Sequence, residues 1–114
     1  MRGYPTKKDR NGLREDLLRP SPYLGYGRDS LAMHLISCGA YDIAEDQLRR
    51  AIWLNPYEPI FKLHLAWLFY RQKRYVEARS WILEALAQEP NELKSQQLLK
   101  LIEKAASVDQ LVEG

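Results

Sequence analysis

Residues 31–56, LAMHLISCGAYDIAEDQLRRAIWLNP, return 34 positions later as residues 65–90, LAWLFYRQKRYVEARSWILEALAQEP, without a gap. The shift sets Leu31-Ala32 on Leu65-Ala66, Leu35 on Phe69, Tyr41 on Tyr75, Ala44 on Ala78, Leu48 on Ile82, Ala51 on Ala85 and Pro56 on Pro90. Each pair keeps its chemical type. A fixed period of roughly 20–50 residues marks an array of small units, each burying its apolar face against the next.

The punctuation inside each unit predicts two helices. In the first unit, Arg28 to Cys38 reads as a helix, with Leu31, Ala32, Leu35 and Cys38 at three- and four-residue spacing. Gly39 then supplies a residue that takes positive φ at a helix end. Asp42 is expected to cap the second helix, with Glu45 completing a capping box. Ile43, Ala44, Leu48, Ala51 and Ile52 form its buried stripe, and Glu45–Arg49 and Asp46–Arg50 stand in the favourable acid-first order. Asn55-Pro56 ends it. The second unit starts at Pro59, suited to a first helical turn, and its helices run to about Gln72 and from Tyr75 to Gln88. A fifth helix, from about Asn91 to Ala106, carries Leu98, Leu101, Ile102 and Ala105 on one side. Lys94, Gln96, Gln97, Lys100 and Lys104 cover the rest, the form of a terminal cap.

Taken together, these residues resemble the tetratricopeptide family. That family marks its first helix with Leu, a small residue and an aromatic, and its second with an aromatic, Ala, a bulky apolar residue, Ala and a closing Pro. The marks here are Leu31, Ala32, Leu35, Tyr41, Ala44, Leu48, Ala51 and Pro56, then Leu65, Ala66, Phe69, Tyr75, Ala78, Ile82, Ala85 and Pro90. The departures are Arg28 and Lys62 at the family's early Trp, and Lys73 at the turn glycine kept as Gly39. The resemblance implies an all-α fold, a right-handed array of antiparallel helix pairs. Its parts would be an irregular basic arm (1–24), two repeats (25–58 and 59–92), a capping helix (93–106) and a frayed tail (107–114).

In this family the first helices of successive repeats line a concave groove that holds the ligand. By repeat position, the groove would present Tyr26, Asp29, Met33, Ile36 and Ser37, then Ile60, Leu63, Trp67, Tyr70 and Arg71, then Lys94, Gln97, Leu101 and Lys104. The stretch from Ile60 to Tyr70 is apolar except for Lys62 and His64, and such a helix is buried on both sides or binds something. Trp67 and Tyr70 beside Arg71 have the composition of a binding hot spot, with cover by the chain's own arm as the lesser alternative. Trp53 and Trp81, late on the two second helices, suggest a further contact surface. The family's clamp for chaperone C-terminal carboxylates is not matched. Asp29 and Met33 stand where it needs Lys and Asn, and His64 where it needs Asn.

Other chemistry is poorly encoded. Two histidines, His34 and His64, lack a spaced third ligand for a metal and any accompanying catalytic pattern. No glycine-rich phosphate loop follows a strand, so neither cofactor nor metal is expected. The single Cys38 excludes an internal disulfide, suits a reducing, cytoplasmic setting, and reads as an inward core thiol. The most apolar stretch is about half the ~20 residues a membrane span needs.

Charge is uneven. Residues 1–24 hold six basic groups and three acids (6 − 3 = +3), and the remainder eleven against twelve (11 − 12 = −1). Pro5, Pro20 and Pro22 interrupt the arm, but Leu13, Leu17 and Leu18 share a helical face near its middle. Two repeats are fewer than the roughly three a robust array needs. The expected function is therefore a scaffold or assembly subunit in a larger complex, or a self-associating one, that binds a protein segment through groove aromatics and the arm. A dedicated chaperone is the nearer alternative. RNA or anionic lipid, bound through the arm and the Arg71, Lys73, Arg74 and Arg79 cluster, is the more distant one.

Overall fold

A computed structural model describes residues 24–113, with side chains through Leu111; the notional arm, residues 1–23, lies outside the described residues. Five helices follow one another: α1 (Tyr26–Ser37), α2 (Tyr41–Leu54), α3 (Pro59–Arg71), α4 (Tyr75–Gln88) and α5 (Leu93–Glu113). There is no strand among the described residues. Each helix packs on the next, α1 with α2 and α3 with α4 as hairpins, α3 on α2 and α5 on α4 between units. The fold is thus the all-α array of antiparallel helix pairs that the 34-residue period predicts.

The core is built from the repeated positions. Ala32, Ala44, Leu48, Ala51, Leu65, Ala66, Phe69, Ala78, Ile82 and Ala85 are all buried, and Leu98 and Ile102 of α5 close the far end. The alanines let helix axes approach, and the larger residues fill the space between them, as dense interior packing requires.

Both hairpin turns have one geometry. In the first, the Ala40 N–H reaches the Leu35 carbonyl at 2.9 Å and the Gly39 N–H reaches Ile36 at 3.0 Å. In the second, Arg74 reaches Phe69 at 2.9 Å and Lys73 reaches Tyr70 at 3.0 Å. These are paired Schellman bonds, which need a left-handed residue after the helix. Gly39 supplies it at φ 80°, but in the second turn Lys73 is forced to φ 63°. A side chain there costs about 1–2 kcal/mol, partly offset by glycine's larger entropy loss on folding. Lys73→Gly is therefore expected to raise stability by about 0.5–1 kcal/mol, read as a higher thermal midpoint. Gly39→Ala should lower it by a similar amount through the backbone alone, since a Cβ there meets nothing within 4 Å. If both substitutions leave the midpoint in place, the turns are not under this constraint.

Five expectations are corrected. Ile43 is 58% exposed and not part of the buried stripe of α2, which is formed by Ala44, Leu48 and Ala51 at four- and three-residue steps. Asp42 does not cap α2: the N-cap is Ala40, without a side-chain bond, because Tyr41 already lies in the helix. Glu45 turns instead to Arg49 at 2.9 Å and Arg74 at 3.4 Å. Cys38 is exposed rather than inward, because it is the C-cap of α1 and points off the hairpin. Leu31 is exposed because no helix among the described residues precedes α1. Finally, α5 does not stop near Ser107 but continues to Glu113, since Val108, Leu111 and their neighbours include no Gly or Pro to break it.

Candidate protein-binding groove

α1, α3 and α5 are the helices that line one side of the array, and the site residues fall along them in three groups. At the α1–α3 end, Tyr26 sets its ring edge on Phe61 at 5.1 Å, and its hydroxyl donates to the Glu58 carboxylate. That hydrogen bond, with desolvation and the charges of Glu58 and Asp29, raises the Tyr26 phenol above its ordinary value. Tyr26 therefore stays a neutral, fixed donor. Next along, His64 Nδ1 lies 2.6 Å from Asp29 Oδ1 and ties α3 to α1. This pair was not foreseen, because the two residues lie 35 apart and only the repeat geometry brings them together. It answers why an acid sits in the groove wall. Asp29, buried, is spoken for by His64.

The middle of α3 carries the aromatic group. Trp67 and Tyr70 stack with centroids 5.7 Å apart, and the Arg71 guanidinium lies 5.6 Å from the Trp67 ring. Tyr70 continues to Tyr75 at 6.1 Å. Trp67 and Tyr70 are half-buried, seated on the core by one face, while Arg71 is exposed. Beyond them opens a hollow of about 550 Å³ lined by Tyr70, Lys73, Tyr75, Leu101, Lys104, Ala105, Val108 and Asp109. Its lining is mixed: Tyr70, Tyr75, Leu101, Ala105 and Val108 supply apolar surface, and Lys73, Lys104 and Asp109 supply charge. Tyr75, Lys73 and Val108 are missing from the sequence-based set because they come from a turn, the start of α4 and the late part of α5. Only the unbroken continuation of α5 past Ser107 completes the wall.

At the start of α3, sharing Glu58 with the Tyr26 contact, Ile60 and Leu63 line a smaller cavity of about 210 Å³ with Glu89, Glu92 and Lys94. This is separate from the aromatic group. Ile36 is not at the surface: it is 2% exposed and belongs to the core cluster. Met33 is half-buried against the same core.

The tryptophans of the second helices part company. Trp53 is 76% exposed at the outer end of α2. Trp81 is half-buried, covered by Arg49, whose guanidinium lies 5.7 Å from its ring. A joint convex surface of the two is thus corrected: Trp81 is a joint between repeats and Trp53 stands apart.

The basic cluster is largely neutralised by neighbours. Arg74 pairs with Glu77 and Glu45, Arg79 with Glu103, Arg49 with Glu45 and Arg50 with Asp46. The Arg74–Glu77 hydrogen bond raises Arg74 and holds Glu77 below the ordinary carboxylate value. What this pair contributes is present above the free carboxylate's pKa and is lost only as pH falls through the lowered one. Being well exposed, it contributes little.

No group of three or more metal-ligating side chains occurs among the described residues, and no described helix is long and apolar enough to cross a membrane. Residues 37–90 match the family model for YpiA-like tetratricopeptide repeats. No curated protein matches the chain.

Proposed function

Because the two helix pairs of this chain are tetratricopeptide repeats, we propose that it is a scaffold or assembly module of a larger complex, holding a segment of another protein against α3 and α5. It acts by binding rather than by catalysis. The observation that carries this reading is the Trp67–Tyr70–Arg71 cluster opening onto the hollow under Tyr75 and Leu101. Aromatic and arginine side chains at a partly desolvated centre are the composition of interface hot spots. The apolar part of this lining, Tyr70, Tyr75, Leu101, Ala105 and Val108, suits an aliphatic or aromatic anchor. A single exposed thiol, Cys38, fits work in the reducing cytoplasm.

The test places a photo-crosslinking amino acid at Tyr70, or at Val76 on the outer face of α4, 85% exposed. The Tyr70 probe is expected to capture a discrete protein partner that the Val76 probe does not. Equal capture by both would sink the groove reading. Recovery should also survive a rise in salt from about 50 to 200 mM, whereas a nucleic-acid contact through six or more phosphates would lose roughly a thousandfold or more.

A further inference from the structure

Among the described residues, the first repeat has no neighbour on the side where the second has one. Leu65 on α3 is 0% exposed, covered by the preceding repeat, whereas Leu31 at the same position of α1 is 46% exposed. Leu24 is also exposed, and Arg28, three residues before Leu31 on α1, bounds a hollow of about 430 Å³ with Arg49, Arg50, Trp53 and Leu54. This face has the make-up of a stacking surface: apolar at its centre and cationic at its rim.

The sequence ahead of α1 carries a repeat ending. Ser21-Pro22-Tyr23 stands 34 residues before Asn55-Pro56-Tyr57, and Pro22, Pro56 and Pro90 form one series. In both later members the proline follows one residue after a repeat's second helix, α2 or α4. The same alignment puts Leu17 and Leu18 at the positions of Ala51 and Ile52. Gly12 and Pro20 bracket the intervening stretch 13–19. Arg10 and Arg14 occupy the places of Ala44 and Leu48, so this stretch offers an apolar edge and not the core of a full repeat.

Charge supports the same placement. Between the described repeats, Arg49 of one second helix covers Trp81 of the next. Moved back by 34 residues, that contact joins Glu15 to Gln47, and Gln47 already accepts from Arg28 Nη1 at 2.9 Å. Glu15 and Asp16 thus arrive beside the guanidinium of Arg28, whose described partner is neutral.

We propose that residues 13–19 dock as a short helix on the Leu31 face of α1, as the second helix of an incomplete preceding repeat. Leu17 and Leu18 cover Leu31, and Glu15 pairs with Arg28. A helix of two turns does not hold in water by itself, so its helicity reports the docking.

The test uses the full chain with Leu17→Cys and Leu31→Cys in a Cys38→Ser background, oxidised at low concentration. The docked segment brings the two Cα atoms within the roughly 7 Å a disulfide spans. The expected product is a monomer with an internal disulfide, shifted on a non-reducing gel and restored by reductant. A covalent dimer would assign the face to a second copy, and an unreacted dithiol would leave it for another protein; either overturns the proposal. Independently, Leu17→Asp with Leu18→Asp should lower Tm by roughly 10 °C and remove helical signal. Glu15→Arg should lower Tm by a few degrees, with Arg28→Glu in the same chain restoring it. An unmoved Tm in these variants overturns the docking.

Discussion

Phe69→Ala is expected to lower the unfolding free energy by about 3–5 kcal/mol, the range for emptying a fully buried aromatic site. Phe69 is 0% exposed, and the Arg74 guanidinium lies 4.4 Å from its ring while Arg49 lies at 5.9 Å. The ring is therefore packed from α3 against both its own hairpin and the repeat before it. A domain of this size holds about 5–15 kcal/mol in total, so the loss removes a large share of its stability. The paired substitution is the informative control. Leu35 holds the same position in the first repeat but is smaller and only half-buried. Leu35→Ala should therefore cost well under half as much. Thermal and urea unfolding of the two variants measure this directly. Equal costs would mean that Leu35 is packed as fully as Phe69, contrary to its half-burial.

That asymmetry also explains where a linear reading succeeds and where it stops. Helix pairs, the Gly39 turn, the Pro59 start and the alanine core are local or periodic features, and spacing alone determines them. What a repeat alignment cannot reveal is the difference between equivalent positions at the ends of an array. Leu31 and Leu65 have the same type and spacing, but only Leu65 has a preceding helix to lie against. Ile36, assigned to the groove by position, is instead buried in the shared core. The Asp29–His64 pair and the Tyr75–Leu101–Val108 wall join residues far apart in the chain, and nothing in either segment signals its partner. The aromatic triplet was visible because Trp67, Tyr70 and Arg71 lie within one turn and a half of one helix.

Replacing both Trp67 and Tyr70 by Ala should weaken partner binding at least about thirtyfold, the fold-change of a 2 kcal/mol hot spot. Since the two rings stack on each other, their losses will not add, and either single variant should show most of the effect. Arg71→Ala should show a smaller loss, because it removes a cation that sits over Trp67 but not the apolar contact beneath it. Both aromatics also touch the core, so the double variant will lose some stability whatever its role. Trp81→Ala separates the two effects. Trp81 is likewise half-buried and likewise covered by an arginine, but it lies on α4 between the repeats rather than in the groove. It should cost comparable stability and leave binding intact, provided that affinity is measured well below both thermal midpoints. If the Trp81 variant loses the partner as completely as the groove variant does, binding follows the fold in general, and the aromatic cluster is not where the partner sits.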